Sequence, residues 1–141
     1  MGLPTTPALT VDCVIYDPAG RVLLIRRKNE PFQGAFALPG GFVDIGETVE
    51  AACRREVREE TGLDAGDLAL VGVYSDPGRD LRGHTVSAAF LTRLPRAAAP
   101  TAGDDAATAE WIDDWRTHPL AFDHAQILED AEQMASLGAR D

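Results

Sequence analysis

Residues 41–63, GFVDIGETVEAACRREVREETGL, decide how the rest of the chain is read. They follow Leu38-Pro39-Gly40-Gly41, where a sharp turn is expected because proline fixes its own φ and glycine permits positive φ. From Glu47 onward no Gly or Pro intervenes until Gly62, which stands where a C′ glycine ends a helix. The spacing predicts a helix over roughly 48–61. At about 100° per residue, Val49, Ala52 and Cys53 share one face, and the same face continues as Glu56, Glu59 and Glu60. An ordinary amphipathic helix puts its acids opposite the apolar stripe. Here the stripe itself turns acidic near the helix C-terminus, where like charges repel and the helix dipole favours cations. A cation among the carboxylates would relieve that cost, and a divalent ion with oxygen ligands such as Mg²⁺ suits them. A bare cluster of this kind also describes a solvated acidic face braced by Arg54, Arg55 and Arg58.

The wider pattern separates the two. Gly41, five residues, Glu47, seven residues, Arg55-Glu56-Val57, one residue, Glu59-Glu60, one residue, Gly62-Leu63 resembles the Nudix box at every defined position. The resemblance implies an α+β domain, an α/β/α sandwich around a central mixed sheet. It also implies hydrolysis of a nucleoside diphosphate linked to another moiety, with Mg²⁺ as the ion and Mn²⁺ as a possible substitute. Glu59 and Glu60 are then direct ligands, Glu56 a ligand directly or through water, and the Gly40 carbonyl completes the site. Gly41, Glu47, Arg55 and Gly62 are structural within the motif, Arg55 pairing with Glu47 to hold the loop to the helix. The family often adds an acid from a loop before the last strand. Asp104-Asp105 precede Trp111 at that spacing, which nominates Asp105 and leaves Asp104 in reserve.

Length and composition agree with a small enzyme. The 141 residues suit one domain, expected over residues 9–141 after a flexible Pro/Thr-rich tail at 1–8. A net charge of −10 argues against a surface that tracks nucleic acid, and requires local arginines or metal where an anionic substrate enters. Cys13 and Cys53 both lie in apolar patterns and read as small core residues. No apolar run reaches membrane-spanning length and no signal-like segment opens the chain, so no membrane partner and a cytoplasmic location are expected.

The remaining pattern is strand-rich. Leu9–Tyr16 alternates with Val11, Cys13 and Ile15 on one face; Arg21–Arg26 is apolar on both faces, as in a sandwiched strand. With the Asp17–Gly20 turn between them they read as a hairpin. Further strands are expected at 36–38, 68–74, 85–92 and 110–112, and a closing helix over 123–137. The stretch 95–106 reads as irregular, and the charged loop 75–84 as one that projects from the sheet edge.

Outside the box, Ser75-Asp76-Pro77-Gly78-Arg79-Asp80 with Arg82-Gly83-His84, and Leu120–His124 with Ile127-Leu128, resemble the small ADP-ribose pyrophosphatase branch of the family. Leu81 replaces a frequent proline and Phe36 a frequent tryptophan. Arg27, Arg79 and Arg82 are candidate substrate-binding residues; His84 and His124 are read as surface or capping groups before groups that orient others, and Trp111 as core before a base-stacking platform. The resemblance implies a homodimer that splits ADP-ribose into AMP and ribose 5-phosphate. The alternatives are a Nudix enzyme of nucleoside triphosphates or dinucleoside polyphosphates, and a non-catalytic ADP-ribose sensor. The intact box weighs against the last.

Overall fold

The computed structural model describes residues 2–138. Met1 of the expected tail and residues 139–141 of the expected domain lie outside the described residues. The elements in chain order are β1 (Ala8–Tyr16), β2 (Val22–Arg27), β3 (Phe36–Ala37), β4 (Gly40–Phe42), α1 (Val49–Thr61), β5 (Ala69–Tyr74), β6 (Thr85–Arg93), β7 (Ala106–Ile112) and α2 (His124–Gly138), with a short 3-10 turn at Trp115–Thr117 before α2.

The alternation in β1 explains the layering. Val11, Cys13 and Ile15 pack with Ala52, Cys53 and Val57 of α1. Val14 and Tyr16 point the other way and pack with Ile127, Leu128 and Ala131 of α2. The neighbouring strand divides likewise, Leu23 joining the α1 layer and Leu24 the α2 layer. Each of these leucines is fully buried, worth about 1.5–3 kcal/mol apiece. The result is one sheet between two helices, an α/β/α sandwich of the α+β class.

The sheet has seven strands with a path β3-β2-β1-β6-β5, β4 adding to β1 and β7 to β2. It is mixed: β1 runs parallel to β6 over their whole lengths, Ala8↔Thr85 to Tyr16↔Arg93, while β2–β7, β5–β6 and β1–β4 are antiparallel. The expected β1–β2 hairpin is paired only at its closed end, Tyr16↔Val22. Beyond it the strands part, because β2 spends its length on β7 and β3. Gly40–Phe42 pairs with Thr10–Asp12 at the other end of β1, so β4 enters the split and the opening remains between β1 and β2.

Four further expectations are corrected. Gly40 and Gly41 do not supply positive φ; they are extended strand, and their lack of side chain serves close approach instead. A Cβ on Gly40 would stand 2.1 Å from the Val11 carbonyl oxygen, and one on Gly41 2.7 Å from the Glu56 carboxylate. The last strand is longer than 110–112, because β2 offers it a partner from Ala106 onward. The loop 75–84 is exposed along most of its length but is anchored inward at two residues: Asp80 is buried, and Arg79 has a side chain only 5% exposed. The 3-10 turn was not anticipated; it buries Trp115 against the α2 layer.

The site-bearing helix begins on a side-chain cap. Thr48 Oγ1 accepts from the Ala51 N–H at 3.1 Å, and Gly62 ends the helix in the left-handed conformation with its N–H on the Arg58 carbonyl. Replacing Thr48 by Ala is expected to lower stability by about 1 kcal/mol. Urea unfolding that shows no loss would remove the cap from the account of this helix.

Candidate active site at the split in the sheet

The opening between β1 and β2 is a cleft of about 410 Å³ whose lining includes Arg27, Gly40, Gly41, Glu56, Glu60, Arg82 and Asp105. A narrower neck of about 70 Å³ continues past Asp12, Arg79, Phe122 and His124.

Three groups of side chains meet there. The first is the acidic face of α1. Glu60 is 4% exposed, and the Gly40 N–H donates to its Oε2 at 3.1 Å. Burial, with Glu56, Asp12 and Asp105 nearby, pushes its carboxyl from the usual 4.5 up to about 9. Burial lifts Glu56 less, to about 6, because Arg55 donates to it at 2.8 Å. Glu59 is different: its carboxylate is 39% exposed, meets Arg55 Nη1 at 3.2 Å, and does not line the cleft.

The second group holds the loop that precedes α1. Arg55 donates to both Glu47 oxygens, at 3.0 and 2.8 Å, and to the Phe42 carbonyl at 3.0 Å. Glu47 also accepts the Asp44 N–H, and Arg55 holds its carboxyl down at about 2. Of the possible braces, Arg54 donates to the Ala65 carbonyl and Arg58 pairs with Asp64, so neither reaches the acidic face.

The third group is the opposite wall. Arg27 stands 5.0 Å and Arg82 5.7 Å from the centre of the Phe122 ring. Phe122 has φ 52°, a left-handed conformation that costs a non-glycine residue about 1–2 kcal/mol. Such strain persists only where surrounding structure holds it, here the Phe32 ring at 5.0 Å and His124 at 5.4 Å. Arg82 pairs with Asp80 at 2.8 Å yet remains 47% exposed. Arg79 is committed elsewhere: it forks onto both Asp123 oxygens at 2.9 and 2.7 Å and onto Thr85 at 2.8 Å.

Asp105 reaches the cleft because its loop is tied to the end of α1. The Thr101 N–H donates to the Thr61 carbonyl at 2.8 Å and the Gly103 N–H to the Glu60 carbonyl at 3.3 Å, which satisfies carbonyls the helix itself leaves free. Asp105 lines the cleft with Glu56 and Glu60; Asp104, at φ 49°, does not.

Sequence reasoning passed over Asp12, Phe122 and the depth of His124, which is 4% exposed rather than a surface group. One signal was available: Asp12 is a lone acid inside the apolar run Val11–Tyr16.

Among the described residues, no three His, Cys, Asp or Glu groups converge as an assembled set of ligands. The donor chemistry nonetheless fits a hard divalent cation. All the candidate side-chain ligands are carboxylates, and the missing side chain of Gly41 leaves the backbone directly against Glu56. The buried Glu60 has acidic neighbours that hold a proton on it in the metal-free protein, and a positive ion in the proton's place would let it ionise.

A sandwich domain whose sheet splits around an acidic, cation-compatible helix face, opposed by arginines, defines a hydrolase for phosphate-bearing substrates. The chain belongs to the NUDIX family, whose domain model matches residues 6–131. It is a Nudix hydrolase, and enzymes of that kind generally use a divalent metal. It is 51% identical to an ADP-ribose pyrophosphatase of Methanocaldococcus jannaschii, over 88% of this chain and 72% of that one. It is 32% identical to an ADPR-responsive transcriptional repressor of Acinetobacter baylyi over 89% of this chain, and spans 53% of that protein's length. The NUDIX domain of Shewanella oneidensis NrtR complexed with ADP ribose superposes with a TM-score of 0.87 at 29% identity, covering 93% of this chain and 90% of that one.

The raised carboxyl of Glu60 has a definite consequence for the metal-free protein. Between pH 4.5 and about 9 the folded chain keeps a proton that the unfolded chain releases, so this group's contribution is fully present below pH 4.5 and is lost as pH rises toward 9. Glu60→Gln is therefore expected to raise metal-free stability at pH 8 by about 1–2 kcal/mol and to change little at pH 4. Denaturant midpoints at the two pH values check this; an equal shift at both would show that the carboxyl is not held protonated by its surroundings.

Proposed function

We propose that the protein hydrolyses ADP-ribose to AMP and ribose 5-phosphate, with Mg²⁺ as the ion and Mn²⁺ as a substitute. The observation that carries this reading is the cleft itself. It gathers Glu56, Glu60 and Asp105 in one lining with Arg27 and Arg82, whose guanidiniums lie 5.0 and 5.7 Å from the Phe122 ring centre. The similarity to an ADP-ribose pyrophosphatase and to an ADP-ribose-bound NUDIX domain supports the same substrate. A homodimer acting in the cytoplasm completes the proposal, on the family resemblance.

Glu56, Glu59, Glu60 and the Gly40 carbonyl would hold the ion, Glu59 after release from Arg55. When bound, the ion neutralises phosphate charge and activates water. Arg27 and Arg82 hold the diphosphate and fix its direction in the cleft, as guanidinium groups suit phosphate oxygens. Arg79, already forked onto Asp123, acts behind that wall and keeps the loop 75–84 in place. Asp105 receives the proton of the attacking water. The water oxygen bonds to one phosphorus, the bond from that phosphorus to the bridging oxygen breaks, and the bridging oxygen leaves on the other phosphate.

Glu60→Gln is expected to lower kcat by about a hundredfold or more while changing KM little, since it removes stabilisation present chiefly in the transition state. Near-normal turnover in that variant, in the presence of divalent ion, would take the acidic face out of the mechanism. Arg82→Ala is expected to raise KM for ADP-ribose by about tenfold with kcat nearly kept. The substrate itself is tested by kcat/KM with Mg²⁺ on ADP-ribose, NADH, diadenosine polyphosphates and nucleoside triphosphates. A preference for triphosphates would replace ADP-ribose in this reading.

A further inference from the structure

The narrow neck beyond the cleft is lined by a polar group that the proposed reaction does not use. Asp12 and His124 are both buried, on β1 and at the start of α2 respectively. His124 Nε2 lies 3.2 Å from Asp12 Oδ1, and Ser87 Oγ donates to Asp12 Oδ2 at 2.6 Å. On its other side, His124 Nδ1 accepts the Leu38 N–H at 3.0 Å. That bond fixes the tautomer: Nδ1 must be unprotonated, so the ring proton sits on Nε2, the nitrogen nearer Asp12. Arg79 Nη2, 3.8 Å from Asp12, gives the carboxylate its nearest positive charge.

Leu38 opens the four-residue segment that ends at Gly41. Within it, the Pro39 carbonyl accepts the Cys13 N–H at 2.9 Å and the Gly40 N–H donates to Glu60. Asp12 also sits so close to Gly40 that a Cβ there would stand 2.7 Å from its Oδ1. The segment carrying the Glu60 contact is thus held from behind through Leu38 and Pro39.

We propose that Asp12 and His124 are positioning residues: through the Leu38 N–H they set the Leu38–Gly41 segment against α1 and so fix the Gly40–Glu60 contact that orders the ion-binding face. This rests on the ion-dependent reading of the site given above. Without the imidazole acceptor a buried N–H is left unpaired, and the segment shifts to find water or another partner. Partners standing behind metal ligands typically matter tenfold to a hundredfold for ion affinity.

The experiment uses the full chain and two readouts, steady-state kinetics on ADP-ribose and the rise in Tm on adding Mg²⁺ without substrate. His124→Ala is expected to lower kcat by about tenfold or more, leave KM within about twofold, and raise the Mg²⁺ concentration for half-saturation by about tenfold in both readouts. His124→Asn places an amide oxygen where Nδ1 stood and is expected to recover to within about threefold of the parent protein. Asp12→Ala is expected to behave like His124→Ala, and Asp12→Asn, which keeps an acceptor for Nε2–H, to recover likewise. Circular dichroism identifies any variant that does not fold, and the two Asn variants then carry the comparison. Parent-like Mg²⁺ half-saturation in folded His124→Ala overturns the proposal, as do Asn variants no better than the Ala variants. A parent protein inactive on ADP-ribose but stabilised by Mg²⁺ overturns the substrate reading alone, and the thermal readout still decides this one. A parent whose Tm ignores the ion overturns both.

Discussion

The Glu60 carboxylate, buried against the Gly40 N–H with other acids around it, is the constraint to which the rest of the structure conforms. Ionising a carboxyl that far from water is costly unless it is paired, and the chain places no lysine or arginine in hydrogen bond with it among the described residues. The backbone must approach α1 closely enough for one N–H to reach the carboxylate, and so Gly41 has no room for a side chain against Glu56, while Gly40 has none against Val11 and Asp12 of β1. It can do so only if β4 enters beside β1, and β4 has that place only because β2 leaves β1 after one pair. The split that forms the cleft and the strand that serves the carboxylate are therefore one topological feature.

Two arginines solve matching problems on either side of that cleft, and neither does so as a free cation. Arg55 gathers Glu47, Glu56 and the Phe42 carbonyl, which draws the long connection from β4 onto α1. Arg79 gathers Asp123 and Thr85, which draws the loop after β5 onto the start of α2. Both use the planar fork that lysine lacks. The Arg79 guanidinium is largely shielded from water, so its pair with Asp123 is worth more than an exposed surface pair, whose value is about 0–1 kcal/mol. Arg27, and Arg82 with its fork onto Asp80, line the cleft, and Arg82 keeps a side chain 47% exposed beside it, so these two are placed to meet an anion.

Stability and chemistry pull against each other at several of these positions. Phe122 holds a left-handed backbone, Glu60 a carboxyl whose ionisation burial resists, and α1 a row of acids at the dipole end that repels them. The sheet absorbs those costs because its two layers are filled on both faces by fully buried side chains such as Ile15, Leu23, Leu24, Ile127 and Leu128.

Local rules were enough for much of this. The helix over Val49–Thr61 was legible because a cap residue, an uninterrupted run and a terminal glycine act within a few residues of one another. The sandwiched character of β2 was legible from apolar residues on both faces, and the family from nine spaced positions in one stretch. Pairing was not legible, because whether β2 bonds to β1 or to β7 depends on which strand arrives beside it, and both have suitable faces. For the same reason the glycines of the box were read as a turn when their use is proximity, which no single strand reveals. Asp12 and His124 stand more than a hundred residues apart and meet only when β1 and α2 pack on the same sheet. By itself the sequence determined the helix, the strands' faces and the row of acids, since each follows from neighbours along the chain. The tertiary structure alone decided which acids are buried and which arginines are already taken, because burial and ion pairing depend on distances across the fold.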